Sequence, residues 1–187
     1  MLEKLPSFVG KTFARFRPGF DLIMSERAGI VTVPSLLVVD SPAFVNGRSL
    51  PERCTADGEG ISPPLRWFGI PPKARSLILV VEDCDSPTPL PLVHAIATGM
   101  PPSIHELAEG ALHEHDGAPL LGKNSYFKAT WLPPDPPPGH GTHRYVFQMF
   151  ALDYTPQFEG HPGRSMILRA LDNHVVARGQ VIGTYKR

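Results

Sequence analysis

Much of what would assign this chain to a familiar functional class is missing from it. Only two of its 187 residues are cysteines, Cys54 and Cys84, 30 positions apart and outside any C-x-x-C spacing. Free thiols in a reducing compartment are the expectation, although a disulfide between the two stays open. No run of about 18 apolar residues occurs, and the N-terminus lacks the charged start, apolar stretch and small-residue cleavage site of a secretory signal, so a cytoplasmic location is expected. The 18 basic and 18 acidic side chains cancel, which leaves no chain-wide positive field for nucleic acid or an anionic membrane. Also absent are a G-x-S-x-G elbow, an H-E-x-x-H pair and a phosphate-binding glycine loop, which argues against a hydrolase.

What is plentiful is punctuation: 22 prolines and 17 glycines. They leave little room for long helices and much for short strands joined by rigid turns. The length suits one domain that hides roughly 70% of its extended surface. No internal repeat is evident.

Residues 1–17 place Leu2, Leu5, Phe8, Val9, Phe13 and Phe16 at helical spacing, with Lys4, Lys11, Arg15 and Arg17 on the other face. Pro18 and Gly19 end that pattern. Residues 1–35 are therefore read as an amphipathic helical extension, more suited to packing on its own domain or building a homodimer than to lying on a membrane. From Leu36 onward the pattern is of strands: "LLVVDSPAFVNG", "SLILVVED", "HAIATGM", "HRYVFQMFALD" and "GQVIGTYKR". "SIHELAEGAL" fits a short helix or an irregular excursion. "GRSMILRALDNHVVA" fits a helix with Met166, Ile167, Ala170 and Leu171 on one face. "LPPDPPPGHG" reads as a stiff wall leading into a strand and suited to a pocket rim.

In "THRYVFQMF" strand alternation sends His143, Tyr145, Phe147 and Met149 to one face. Asp83 and Asp85 point together if their strand stays extended that far. Each residue also has an ordinary explanation, since paired aspartates after a strand cap turns and a lone strand histidine is commonly a core residue. "HEHD", residues 113–116, is the nearest approach to a metal cluster, but adjacent positions on one loop rarely make a complete ligand set, and it is read as solvated.

Four stretches occur in order that resemble the phosphatidylethanolamine-binding protein family, in its bacterial Raf-kinase-inhibitor-like branch: "SPAFVNGRSLPERCTADGEGISPPLRW", "VEDCDSP", "PLVHAIATGMP" and "PPPGHGTHRYVFQMFALD". The resemblance implies a mainly β, Greek-key sandwich over residues 36–187 with a small anion pocket at one end. Carried over by position, the pocket residues are Asp83, Asp85, Pro87, His94, His143 and Tyr145, and Tyr126 of "SYFKATW" is expected on the opposite wall. The implied ligand is a small anion or phosphoryl head group such as phosphoethanolamine, bound without catalysis, cofactor or metal. An Asp/His hydrolase, or a kinase or protease inhibitor acting through a surface contact with a protein target, is the alternative. Two departures stand out: Cys84 replaces the proline common between the aspartates, and "PLVH" lacks the aromatic residue that often precedes the histidine. Cys84 is read as a quiet thiol, because neighbouring aspartates raise its pKa, and Trp67 as core.

Overall fold

The computed structural model describes residues 16–115 and 117–187; the helix expected in residues 1–17 lies almost entirely outside them. The strands among the described residues are β1 Val38–Asp40, β2 Arg48–Ser49, β3 Leu65–Phe68, β4 Ser76–Asp83, β5 Leu92–Met100, β6 Glu106–Leu107, β7 Leu120–Gly122, β8 His143–Leu152 and β9 Val175–Tyr185, with one α-helix, α1, Arg164–Leu171. They form a three-stranded sheet, β1-β3-β6, and a six-stranded sheet, β2-β9-β8-β4-β5-β7. Within the larger sheet β4, β5 and β7 run as neighbours and β8 returns to lie beside β4, the Greek-key order.

β4 explains why "SLILVVED" reads as an unbroken apolar run rather than an alternating one. Leu77, Leu79 and Val81 face the smaller sheet and pack with Leu65 and Trp67, while Ile78 and Val80 face Ile167 and Leu171 of α1. A strand covered on both faces has no solvent side for polar residues. β8 divides the same way: Tyr145, Phe147 and Met149 lie in the inter-sheet core, and Phe150 and Leu152 in the core beneath α1. Of the four residues expected on the core face of α1, Ile167, Ala170 and Leu171 are buried and Met166 is half-buried. "SIHELAEGAL" makes no helix; Glu106 and Leu107 pair instead with Arg66 and Leu65 at the edge of the smaller sheet.

Residues 16–35 lie against the outer face of the six-stranded sheet, with short 3-10 turns at Phe20–Leu22 and Met24–Glu26. Met24 and Ile30 belong to the same apolar cluster as α1. This segment is held by a buried polar network around Glu82, which is fully shielded from solvent. Glu82 accepts hydrogen bonds from Met24 N (2.8 Å), Gln148 Nε2 (2.9 Å) and Arg164 Nε (2.8 Å), and Arg164 Nη2 reaches on to Leu22 O (2.9 Å). Removing one partner of a buried ion pair leaves the other charge without compensation. Arg164→Met is therefore expected to destabilise the protein by about 3 kcal/mol, measured as a lowered urea midpoint.

Candidate functional site

The antiparallel register of β4 and β8 sets Asp83 opposite Tyr145, two residues from His143. On the other side of β4 the pairing with β5 jumps from Val81↔Ala95 to Glu82↔Val93. His94 is the residue left over at this bulge, and it breaks the alternation of the strand: Val93 belongs to the core under α1, while Ala95 belongs to the inter-sheet core. A bulge re-aims a side chain in this way. Here it turns the His94 ring to within 5.0 Å, centroid to centroid, of the Tyr145 ring and nearly perpendicular to it.

These residues open onto one cavity of about 680 Å³ at the end of the sandwich. Asp83, Pro87, His94, Tyr126, His143 and Tyr145 all line it. Sequence reasoning did not single out Lys128 or Asp135, which add two charged groups to the wall, although both fall within stretches it had marked, "SYFKATW" and "LPPDPPPGHG". Pro133, Pro136 and Pro137 form the proline side of the cavity. That wall is fastened at two points: Leu132 N donates to His94 O (2.8 Å) at its start, and the guanidinium of Arg187 pairs with Asp135 at its middle. The loop carrying Tyr126 and Lys128 is tied to β5 by a reciprocal pair, Ser125 N to Val93 O (3.0 Å) and Val93 N to Ser125 Oγ (2.8 Å).

The polar atoms inside are unequally occupied. Asp83 Oδ1 accepts from Asp85 N (2.8 Å), and Oδ2 accepts from His143 Nδ1 (2.7 Å). His143 Nε2 is bonded in turn to Nδ1 of the buried His140, at 2.7 Å. Both nitrogens of His143 are therefore engaged within the protein, and its part is to hold Asp83 and shape the wall. His94 differs. Its Nδ1 lies 2.6 Å from the Leu132 carbonyl, which can only accept, so Nδ1 carries the hydrogen. Its Nε2 is buried and has no hydrogen-bond partner among the described residues. Burial lowers the pKa of His94, partly opposed by the charge of Asp83, which favours the neutral ring with a bare lone pair on Nε2. Burial, reinforced by Asp83, pushes the Tyr145 hydroxyl well above its ordinary pKa and keeps it protonated.

Asp85 departs from expectation. It is not among the residues lining the cavity. The chain does not stay extended past Asp83: the hydrogen bond from Asp85 N to Asp83 Oδ1 turns it back, and the Asp85 carboxylate goes to the far side of the sheet. There it takes Arg144 in a fork, Nε at 2.7 Å and Nη2 at 2.9 Å, accepts from Arg144 N (2.9 Å) and pairs with Arg17 Nη1 (3.0 Å). Between the aspartates, Cys84 is buried; burial and the Asp85 charge push its thiol up to about 12, and its backbone carbonyl accepts from Gly19 N (3.0 Å). Cys54, also a free thiol, is raised by burial to about 11. Among the described residues no group of three or more His, Cys, Asp or Glu side chains could hold a metal ion, and no helix is long and apolar enough to cross a membrane. In "HEHD", His113 Nδ1 is 3.1 Å from Thr130 Oγ1, and Asp116 lies outside the described residues.

Burial by itself would raise the Asp85 carboxyl, but the hydrogen bonds and charges of Arg144 and Arg17 outweigh it and hold the pKa at about 2. A carboxyl depressed in the folded state stabilises it above the unfolded pKa, near 4, and loses that contribution as pH falls toward 2. Asp85→Asn is expected to cost on the order of 2 kcal/mol at pH 7. In urea melts of both proteins, the gap should close between about pH 4 and pH 2.

Comparison with known proteins bears on the whole assembly. Residues 40–186 match the sequence model described as phosphatidylethanolamine-binding protein. A UPF0098 protein of Chlamydia trachomatis is 35% identical over 151 residues, covering 79% of this chain and 97% of its own length. One from Methanothermobacter thermautotrophicus is 36% identical over 148 residues, 78% of this chain and 95% of its own. Among solved structures, a phosphatidylethanolamine-binding protein homolog from C. trachomatis superposes with a TM-score of 0.74 at 33% identity, over 82% of this chain and 99% of that one. Escherichia coli YbcL gives the same TM-score and the same coverage at 22% identity and speaks to the fold alone. The matched region runs from the last residue of β1 through β9, including every strand and loop that builds the cavity, and the chain belongs to the phosphatidylethanolamine-binding protein family.

Proposed function

We propose that the cavity binds a small phosphate-bearing anion of the phosphoethanolamine type through its phosphoryl group, and that the protein works by binding rather than turnover. The observation that carries this reading is His94 Nε2: His94 lines the cavity, and this buried nitrogen has no hydrogen-bond partner among the described residues. A buried nitrogen of that kind costs free energy unless something bonds it. The charges around it suit an anion. Lys128 stands on the same wall, while the two lining carboxylates are already answered, Asp83 by Asp85 N–H and His143, and Asp135 by Arg187. The Tyr145 hydroxyl, held protonated, adds a potential donor. The family's own name points to the same head-group class.

The hydroxyls on the wall support binding over catalysis. Ser86 Oγ and Thr88 Oγ1 bond each other (2.6 Å) and the carbonyls of Asp83 and Leu90, so neither is paired with a histidine that could activate it. The Cys84 thiol stays protonated at neutral pH.

Titrating phosphoethanolamine into the protein while following the histidine ring signals by NMR is expected to move the His94 ring saturably. His94→Ala is expected to weaken binding by at least about tenfold, the order of one charge-assisted hydrogen bond. A His94 ring that does not respond at millimolar ligand would overturn the reading.

A further inference from the structure

We infer that the cavity selects a phosphoryl ligand that brings or takes up one proton, and discriminates against a fully ionised oxyanion of the same shape, with His94 Nε2 as the specificity-determining atom. This rests on the reading of the cavity as a phosphoryl site and goes beyond it to the protonation state of what is bound.

The argument starts from the tautomer. The Leu132 carbonyl at 2.6 Å holds the single hydrogen of a neutral His94 ring on Nδ1, so Nε2 meets the ligand as an acceptor. An anionic oxygen brought against that lone pair is repelled unless a hydrogen lies between them. There are two ways to supply it. The ligand can arrive as a monoanion whose P–O–H donates to Nε2, or a dianion can bind while Nε2 takes a proton from bulk water and donates it back. The proton count is the same in both: the complex holds one proton more than the neutral ring and the dianion held apart. A phosphate monoester, with a second pKa of about 6, supplies this proton readily near neutrality. An alkyl sulfate has none to give, and would depend on charging a ring whose burial disfavours the charge.

The surroundings leave His94 as the adjustable position. From β4 it faces Asp83, both of whose oxygens are occupied. From β8 it faces His143, bonded at both nitrogens, and Tyr145. The loop before Trp131 contributes Tyr126 and Lys128, and the proline wall contributes Asp135, paired with Arg187.

Calorimetry with methyl phosphate and methyl sulfate separates the possibilities, because at pH 6 the sulfate and the phosphate monoanion share charge and shape and differ in one hydrogen. Methyl phosphate is expected to bind at least about tenfold more tightly than methyl sulfate at pH 6, and its own affinity to fall about tenfold between pH 7 and pH 8, with about one proton taken up at pH 8, read from buffers of different protonation heat. Two outcomes would overturn the inference while leaving an anion site intact: methyl sulfate binding as tightly as methyl phosphate, or an affinity for methyl phosphate that is flat from pH 7 to pH 8. If neither ligand binds, the phosphoryl reading itself fails and this inference with it. His94→Gln, whose amide donates without proton uptake, is expected to lose the pH slope and admit methyl sulfate; a retained slope in that variant also counts against the inference. Should the variant not fold, the wild-type comparison decides alone.

Discussion

Glu82, Asp83 and Asp85 carry three carboxyl groups into the protein interior within four residues of chain, all of them at most 3% exposed. A buried carboxylate is tolerated only with donors around it, and the donors these three recruit tie the separate parts of the molecule together. Glu82, on the outer face of β4, gathers the N-terminal segment, Gln148 of β8 and Arg164 of α1. Asp83, on the inner face, fixes His143 and through it is linked to His140. Asp85, past the turn, clamps Arg144 and Arg17.

The same constraint governs the electrostatics of the cavity. Because hydrogen bonds from within the protein occupy both oxygens of Asp83 and both nitrogens of His143, the two groups that look most reactive in the sequence are committed before any ligand arrives. In the proposed binding role, preorganisation of this sort would keep the wall from rearranging and leave recognition to the groups that are not so committed. His94 Nε2 is such a group, placed there by a bulge in β5 and held by one carbonyl of the proline wall. The wall itself depends on the far end of the chain, where Arg187 pairs with Asp135 and also takes Asp57 through Nε (2.7 Å).

Local pattern was enough for a good part of this. The unbroken apolar run of β4 reports a strand covered on both faces, and the alternation in "HRYVFQMF" puts His143 and Tyr145 on one side, because side-chain direction in a strand depends only on its period of two. Six of the seven residues singled out from sequence line one cavity. Asp85 does not, because the alternation rule was carried one step beyond the last extended residue, into a turn that Asp83 itself creates. Residues 16–35 look like an appendage in sequence, yet Ile23 and Met24 are fully buried, since two turns of 3-10 helix leave no long periodic signature to show what they pack on.

By itself, then, the sequence determined a proline- and glycine-punctuated β protein, its family, and which stretches meet at one end of the sandwich, because these follow from composition, period and ordered motifs. The tertiary structure alone decided which oxygen of Asp83 answers which donor, that Asp85 turns away to Arg144, and that His94 rather than His143 is the cavity-lining histidine with a nitrogen left unengaged among the described residues. Those outcomes depend on register, a single-residue bulge and the position of carbonyls distant in the chain, and no local run of residues encodes the place where two strands slip past one another.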